Sequence, residues 1–93
     1  MKRSRYFPFA RSIRHLRERA GLTQPELAKE LSKYFGVEVT RSAVSMWELA
    51  SRTPKLYEAA MIAEYFDVSM DALLGTKREE TETDRFLWEV FEL

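Results

Sequence analysis

Residues that cap helices alternate along this chain with glycines that end them, at intervals suited to a series of short helices. Thr23-Gln24-Pro25-Glu26 opens one: Thr23 can accept from the free N–H groups of a first turn, and Glu26 three residues on completes a reciprocal cap. Pro25 sits where no intrahelical N–H is required. Thr40 opens a second such start, Thr53-Pro54 a third and Ser69 a fourth. Gly21, Gly36 and Gly75 each follow the last apolar residue of a periodic run, where a left-handed residue stops a helix.

Apolar spacing fills in the elements between these marks. Phe9, Ile13, Leu16 and Ala20 define a first helix over roughly 9–20, with Arg11, Arg14, Arg17 and Arg19 between them. Leu27, Leu31 and Phe35 carry the second helix to Gly36, and Val37-Glu38-Val39 reads as an extended connector, too short and isolated for a sheet. The third helix, about 41–50, turns Ala43, Val44 and Trp47 inward and runs on by a turn because no glycine stops it. Trp47 is expected in the core, where its indole N–H needs an acceptor. The fourth follows Thr53-Pro54 with Leu56, Ala59, Ala60, Ala63 and Phe66; Asp67-Val68 is a turn, and Met70 to Leu74 form the fifth. Beyond a polar linker over 76–82, Phe86, Leu87, Val90 and Phe91 recur at helical spacing beside Trp88 and give a sixth helix over roughly 83–92. The expected fold class is all-α: a basic arm (1–8), a helical domain (9–75), and an acidic linker with an amphipathic C-terminal helix (76–93).

Ninety-three residues make one domain with a modest core. The absence of cysteine removes disulfides and thiol catalysis, argues against a zinc ribbon and fits a reducing cytoplasm. No apolar run approaches a membrane span, and no apolar signal segment follows the basic N-terminus. The zero net charge conceals an asymmetry: residues 1–20 carry seven Lys/Arg against one Glu, whereas residues 56–93 carry three basic against ten acidic groups. Such imbalance fits a polyanion met by one face, or a solvated surface with an acidic tail. One histidine, no cysteine and no glycine-rich phosphate loop leave few catalytic constellations, so no enzyme activity and no cofactor are expected. His15 has no second ligand at helical spacing, and Glu79, Glu80, Glu82 and Asp84 read as a solvated linker, so no metal site is expected.

Two helices that cross through a small residue such as Ala28, the later one offering polar groups at its exposed N-terminal end, suit entry into a DNA major groove. Residues 13–75 resemble the phage-repressor-type (XRE-like, Cro/C1-type) helix-turn-helix domain. The resemblance is carried by Ile13-Arg14-His15-Leu16-Arg17, Ala20 to Gln24, Glu26-Leu27-Ala28, Thr40 to Ser45, Trp47-Glu48 and Pro54, and then by Ile62-Ala63-Glu64 with Phe66 and Asp67 to Gly75. It implies a five-helix domain that binds double-stranded operator DNA, usually as a symmetric dimer, and regulates transcription as a repressor. It also implies a phosphate contact from Gln24, recognition-helix positions at Arg41, Ser42, Ser45 and Met46, and a structural salt bridge between Arg17 and Glu48.

Two departures from the family pattern stand out. About six extra residues separate Leu31 from Thr40, which predicts a lengthened helix 2 to helix 3 connection with Tyr34 and Phe35 packed on the domain. Leu49-Ala50 replaces the usual Asn-Gly after the recognition helix, which puts a backbone phosphate contact there in doubt.

The residue chemistry assigns further roles. The guanidinium fork of Arg41 matches guanine O6 and N7, the alternatives being a phosphate contact or plain solvation. Ser42 and Ser45 can donate or accept, and Met46 can meet a thymine methyl or pack on Leu49 or the arm. Thr40, Arg52 and Lys55 flank the reading helix as candidate phosphate contacts, and Lys2, Arg3 and Arg5 can follow the backbone or a minor groove, the alternative being a disordered terminus. Phe86, Leu87, Trp88, Val90 and Phe91 form an apolar face too large to leave in water. They are expected to form a homodimer interface, the alternatives being folding back on the same chain or gripping another protein. The competing function is an antitoxin-like module that binds a partner through this helix while autoregulating its promoter.

Overall fold

The computed structural model describes residues 7–74. They form five helices in chain order: α1 (Phe7–Arg19), α2 (Gln24–Phe35), α3 (Arg41–Glu48), α4 (Leu56–Phe66) and α5 (Met70–Leu74). No strand occurs among the described residues. The all-α, five-helix expectation holds. The arm residues Lys2, Arg3 and Arg5, and the expected C-terminal helix with Phe86, Leu87, Trp88, Val90 and Phe91, lie outside the described residues.

One core sits where the helices meet. α3 packs between α1 and α2, α5 closes on α1 and α4, and α4 lies against α2. Ile13, Leu27, Leu31, Val44 and Ile62 are wholly buried, and Leu16, Ala28 and Trp47 nearly so. A buried Ala28 lets the backbones of α2 and its neighbour approach closely.

The helix ends explain the boundaries. α2 opens on the reciprocal cap expected: Thr23 Oγ1 accepts from Glu26 N, and Thr23 N donates to Glu26 Oε1. It ends on left-handed Gly36. α1 ends in a six-residue hydrogen-bonded stop, Leu22 N to Arg17 O and Gly21 N to Glu18 O, with Gly21 at φ 73°.

α3 ends the same way without a glycine. Ser51 N donates to Met46 O, Ala50 N to Trp47 O, and Ala50 takes φ 58°. The expected extra turn, to about residue 50, is therefore absent: two local hydrogen bonds and the tertiary anchoring of the following loop hold an alanine where glycine is the usual choice. Asp67 does likewise after α4, at φ 57°.

A second correction concerns the start of α4. Thr53-Pro54 precedes it, and Lys55 is the capping position. The physical reason is Glu58, whose carboxylate accepts the Lys55 N–H at 2.8 Å and thereby sets the first turn two residues later. α5 opens as expected, with Ser69 Oγ accepting from Ala72 N.

The extra length before α3 is divided between two elements. Ser32 to Phe35 extend α2, and Gly36 to Val39 connect it to the Thr40 cap. Phe35 packs against the core, whereas Tyr34 remains 60% exposed with its ring edge-on to Tyr65.

Candidate nucleic-acid interface

α3 is an amphipathic helix with one face committed to the core. Ala43, Val44 and Trp47 point inward, while Arg41 and Ser42 are exposed and Ser45 and Met46 half-buried. Thr40 caps it by accepting from Ala43 N at 3.1 Å, so its hydroxyl already has one partner. The outward face presents a guanidinium, two hydroxyls and a thioether along about two turns. That combination can donate to, accept from and make apolar contact with groove edges. Trp47 is buried as expected, but among the described residues its Nε1–H has no acceptor. Such an orphan costs on the order of 1–3 kcal/mol.

The C-terminal end of α3 is tied to α1 and α2 through one carboxylate. Arg17 Nε donates to Glu48 Oε2 at 2.6 Å and Arg17 Nη2 to Glu48 Oε1 at 2.9 Å. Arg17 Nη1 donates to Leu22 O at 2.8 Å, and Gln24 Nε2 to Glu48 Oε1 at 3.2 Å. The pair is largely shielded, with side-chain exposures of 13% and 4%. Hydrogen bonding to Glu48 raises the Arg17 pKa above its ordinary value against the opposing effect of burial. Gln24 thus stands half-buried at the start of α2 with its amide nitrogen donating to Glu48.

A second carboxylate fixes the loop after α3. Arg52 Nη2 donates to both oxygens of Glu58, at 3.0 and 2.9 Å, while Arg52 N donates to Met46 O. Arg52 is therefore drawn toward α4, leaving Lys55 as an exposed ammonium beside it.

The expected site residues thus divide by environment. Arg41, Ser42, Thr40 and Lys55 are exposed, Ser45, Met46, Gln24 and Arg52 are partly covered, and Arg17 with Glu48 lies beneath them. Glu58 and Ser32 were not singled out from the sequence. Glu58 carried a legible signal, a glutamate three residues after a chain turn, as at Thr23 and Glu26. Ser32, a lone serine inside a helix, carried none. Among the described residues no group of three His, Asp or Glu side chains comes together as a metal site. No described helix is long and apolar enough to cross a membrane.

A protein family described as helix-turn-helix matches residues 13–73. The chain belongs to this family. The helix-turn-helix match spans all of α2 and α3 together with α4, so the interface above is built on the family's own elements. A helix-turn-helix protein of the XRE type is a DNA-binding transcription regulator, and this family is a regulatory one rather than a family of enzymes. Comparison with curated proteins and with solved structures gives no match.

Proposed function

We propose that this helix-turn-helix regulator is a dimeric repressor that reads an operator half-site with α3 in the major groove. The observation that carries the reading is the division of α3: one face is core, and the other offers Arg41, Ser42, Ser45 and Met46 to whatever the domain meets. In this reading Arg41 forks onto a guanine, Ser42 and Ser45 read neighbouring edges, and Met46 covers a thymine methyl. Gln24, Thr40 and Lys55 hold phosphates around the groove, and the arm residues Lys2, Arg3 and Arg5 add to the electrostatic attraction. Arg52 contributes to phosphate binding only with the nitrogens that Glu58 leaves open.

Dimerisation through Phe86, Leu87, Trp88, Val90 and Phe91 supplies the two-fold axis that a palindromic operator requires, with half-site centres about 34 Å apart. Selection of bound sites from random duplex DNA, with stoichiometry measured by sedimentation, tests both parts. The proposal expects a palindrome bound by two chains. An asymmetric site bound by one chain contradicts the dimer, and the absence of any enriched sequence contradicts base reading. Truncation after Gly75 should leave a monomer with weaker DNA binding; a dimer that survives it contradicts the role given to the C-terminal segment.

A further inference from the structure

The added end of α2 is held on two sides. Toward α4, Tyr34 stands edge-on to Tyr65 with ring centroids 5.8 Å apart, and the Tyr65 hydroxyl donates to Glu30 Oε1 at 3.1 Å. Toward α3, the half-buried Ser32 does the work of a latch. Its Oγ accepts the N–H of Val39 at 2.9 Å, while its single proton is within reach of Ala28 O at 2.8 Å and Val39 O at 3.2 Å. Serine inside a helix commonly returns its proton to the carbonyl four residues back. Here the same oxygen keeps a lone pair for an amide that belongs to no helix, and so closes the connector onto α2. Val39 packs its side chain against the core, Thr40 caps α3, and Arg41 is the first residue of that helix.

We propose that Ser32 is a specificity-determining positioning residue, which acts through Val39 to fix the direction in which α3 presents Arg41 and Ser42. The inference rests on the base-reading role of α3 proposed above. Hydrogen bonds to base edges weaken steeply with misalignment, whereas attraction to phosphates tolerates it. Loss of the hydroxyl therefore lowers discrimination between sequences more than it lowers attraction to DNA in general. Because Ser32 to Phe35 carry α2 further, the Gly36 to Val39 connector must turn back alongside that added end to deliver Thr40, and the bond from Val39 N–H to Ser32 Oγ holds this return.

The test compares the full chain with Ser32→Ala and Ser32→Thr in two measurements. Alanine is the better helix former, so the first variant does not weaken α2 itself. Amide hydrogen exchange on the free protein reports the latch without DNA. Ser32→Ala is expected to speed exchange at Val39 at least about tenfold while amides of α1 keep their protection, and Ser32→Thr, which retains the hydroxyl, restores it. Binding to the selected duplex and to a shuffled duplex at one salt concentration reports the function. Ser32→Ala is expected to lower the selected-to-shuffled affinity ratio about fivefold, the loss associated with one hydrogen bond, with shuffled-duplex binding within about twofold of wild type.

Unchanged Val39 exchange in Ser32→Ala overturns the latch. Faster exchange with an equal loss on both duplexes overturns the specificity role and makes Ser32 structural only. A wild-type chain that binds both duplexes equally overturns the base-reading proposal and the specificity role together, while the exchange result separately decides the latch.

Discussion

Removing the charge of Glu48 while keeping its shape should destabilise the domain sharply. In Glu48→Gln one of the two acceptor oxygens becomes an NH2, which faces an Arg17 N–H donor in either orientation and, in the Oε1 position, the Gln24 amide as well. The Glu48 side chain is 4% exposed, so water does little to replace the lost acceptor, and Arg17 at 13% exposure keeps its positive charge. Breaking one partner of a buried ion pair costs about 3–5 kcal/mol, because the other charge is left uncompensated. Arg17 retains the Leu22 carbonyl at 2.8 Å and some contact with water, which places the expected cost near the lower limit, ~3 kcal/mol. For a domain of this size that corresponds to a fall in Tm of roughly 12–24 °C, read by thermal and urea unfolding followed by circular dichroism. The double variant Arg17→Met with Glu48→Leu removes both charges and should be less destabilised than the sum of its single substitutions, by about 1–3 kcal/mol. A loss below about 1 kcal/mol in Glu48→Gln, or additivity in the double variant, would refute the view of this pair as a buried and mutually dependent anchor.

Three further outcomes follow from the same geometry. Ala50→Gly should stabilise the domain by roughly 0.5–1 kcal/mol, because relief of the left-handed strain at φ 58° exceeds the added chain entropy of glycine; a lowered midpoint in urea would count against this account of the α3 terminus. The Thr23 backbone N–H, followed by its hydroxyl, holds the Glu26 carboxyl below its ordinary value of 4.5, so the stability it contributes is present above that pH and is lost as pH falls through the depressed folded value. Glu26→Gln should therefore flatten the acid limb of the stability profile below about pH 4.5, and an unchanged limb would remove this cap from the explanation. Lys55→Gln should reduce the slope of log affinity against log salt by about 0.9, the release of one counterion, while Arg52→Gln should reduce it by less because Glu58 already neutralises that guanidinium. Equal slopes for the two variants would contradict the distinction drawn between them.

The helical plan was legible because local chemistry and core packing agree. Thr23 with Glu26, Thr40 and Ser69 sit at helix starts where their side chains bond the first free N–H groups, and Ile13, Leu27, Leu31, Val44 and Trp47 are buried on the faces that their spacing defines. The misreadings arose where distant contacts decide. Nothing local to Leu49-Ala50 calls for a left-handed alanine; the stop depends on carbonyls of the preceding turn and on a loop drawn to α4 by Arg52 and Glu58. Thr53-Pro54 carries a sound start signal, but Glu58 captures the Lys55 N–H and moves the helix start downstream. The outward face of α3 could be read from the sequence as a list of side chains. The ties that aim it could not, because Gln24 to Glu48 and Ser32 to Val39 join residues whose proximity only the folded backbone creates.

The claim that α3 reads bases through Arg41 has a direct test. Wild type and Arg41→Ala are titrated against the selected duplex and against its single-base-pair variants at fixed salt. The expected result is a loss of about 1–3 kcal/mol on the selected duplex, with preference relaxed at one base pair per half-site and retained elsewhere. An equal weakening on every duplex would make Arg41 a phosphate contact and contradict the reading of this helix.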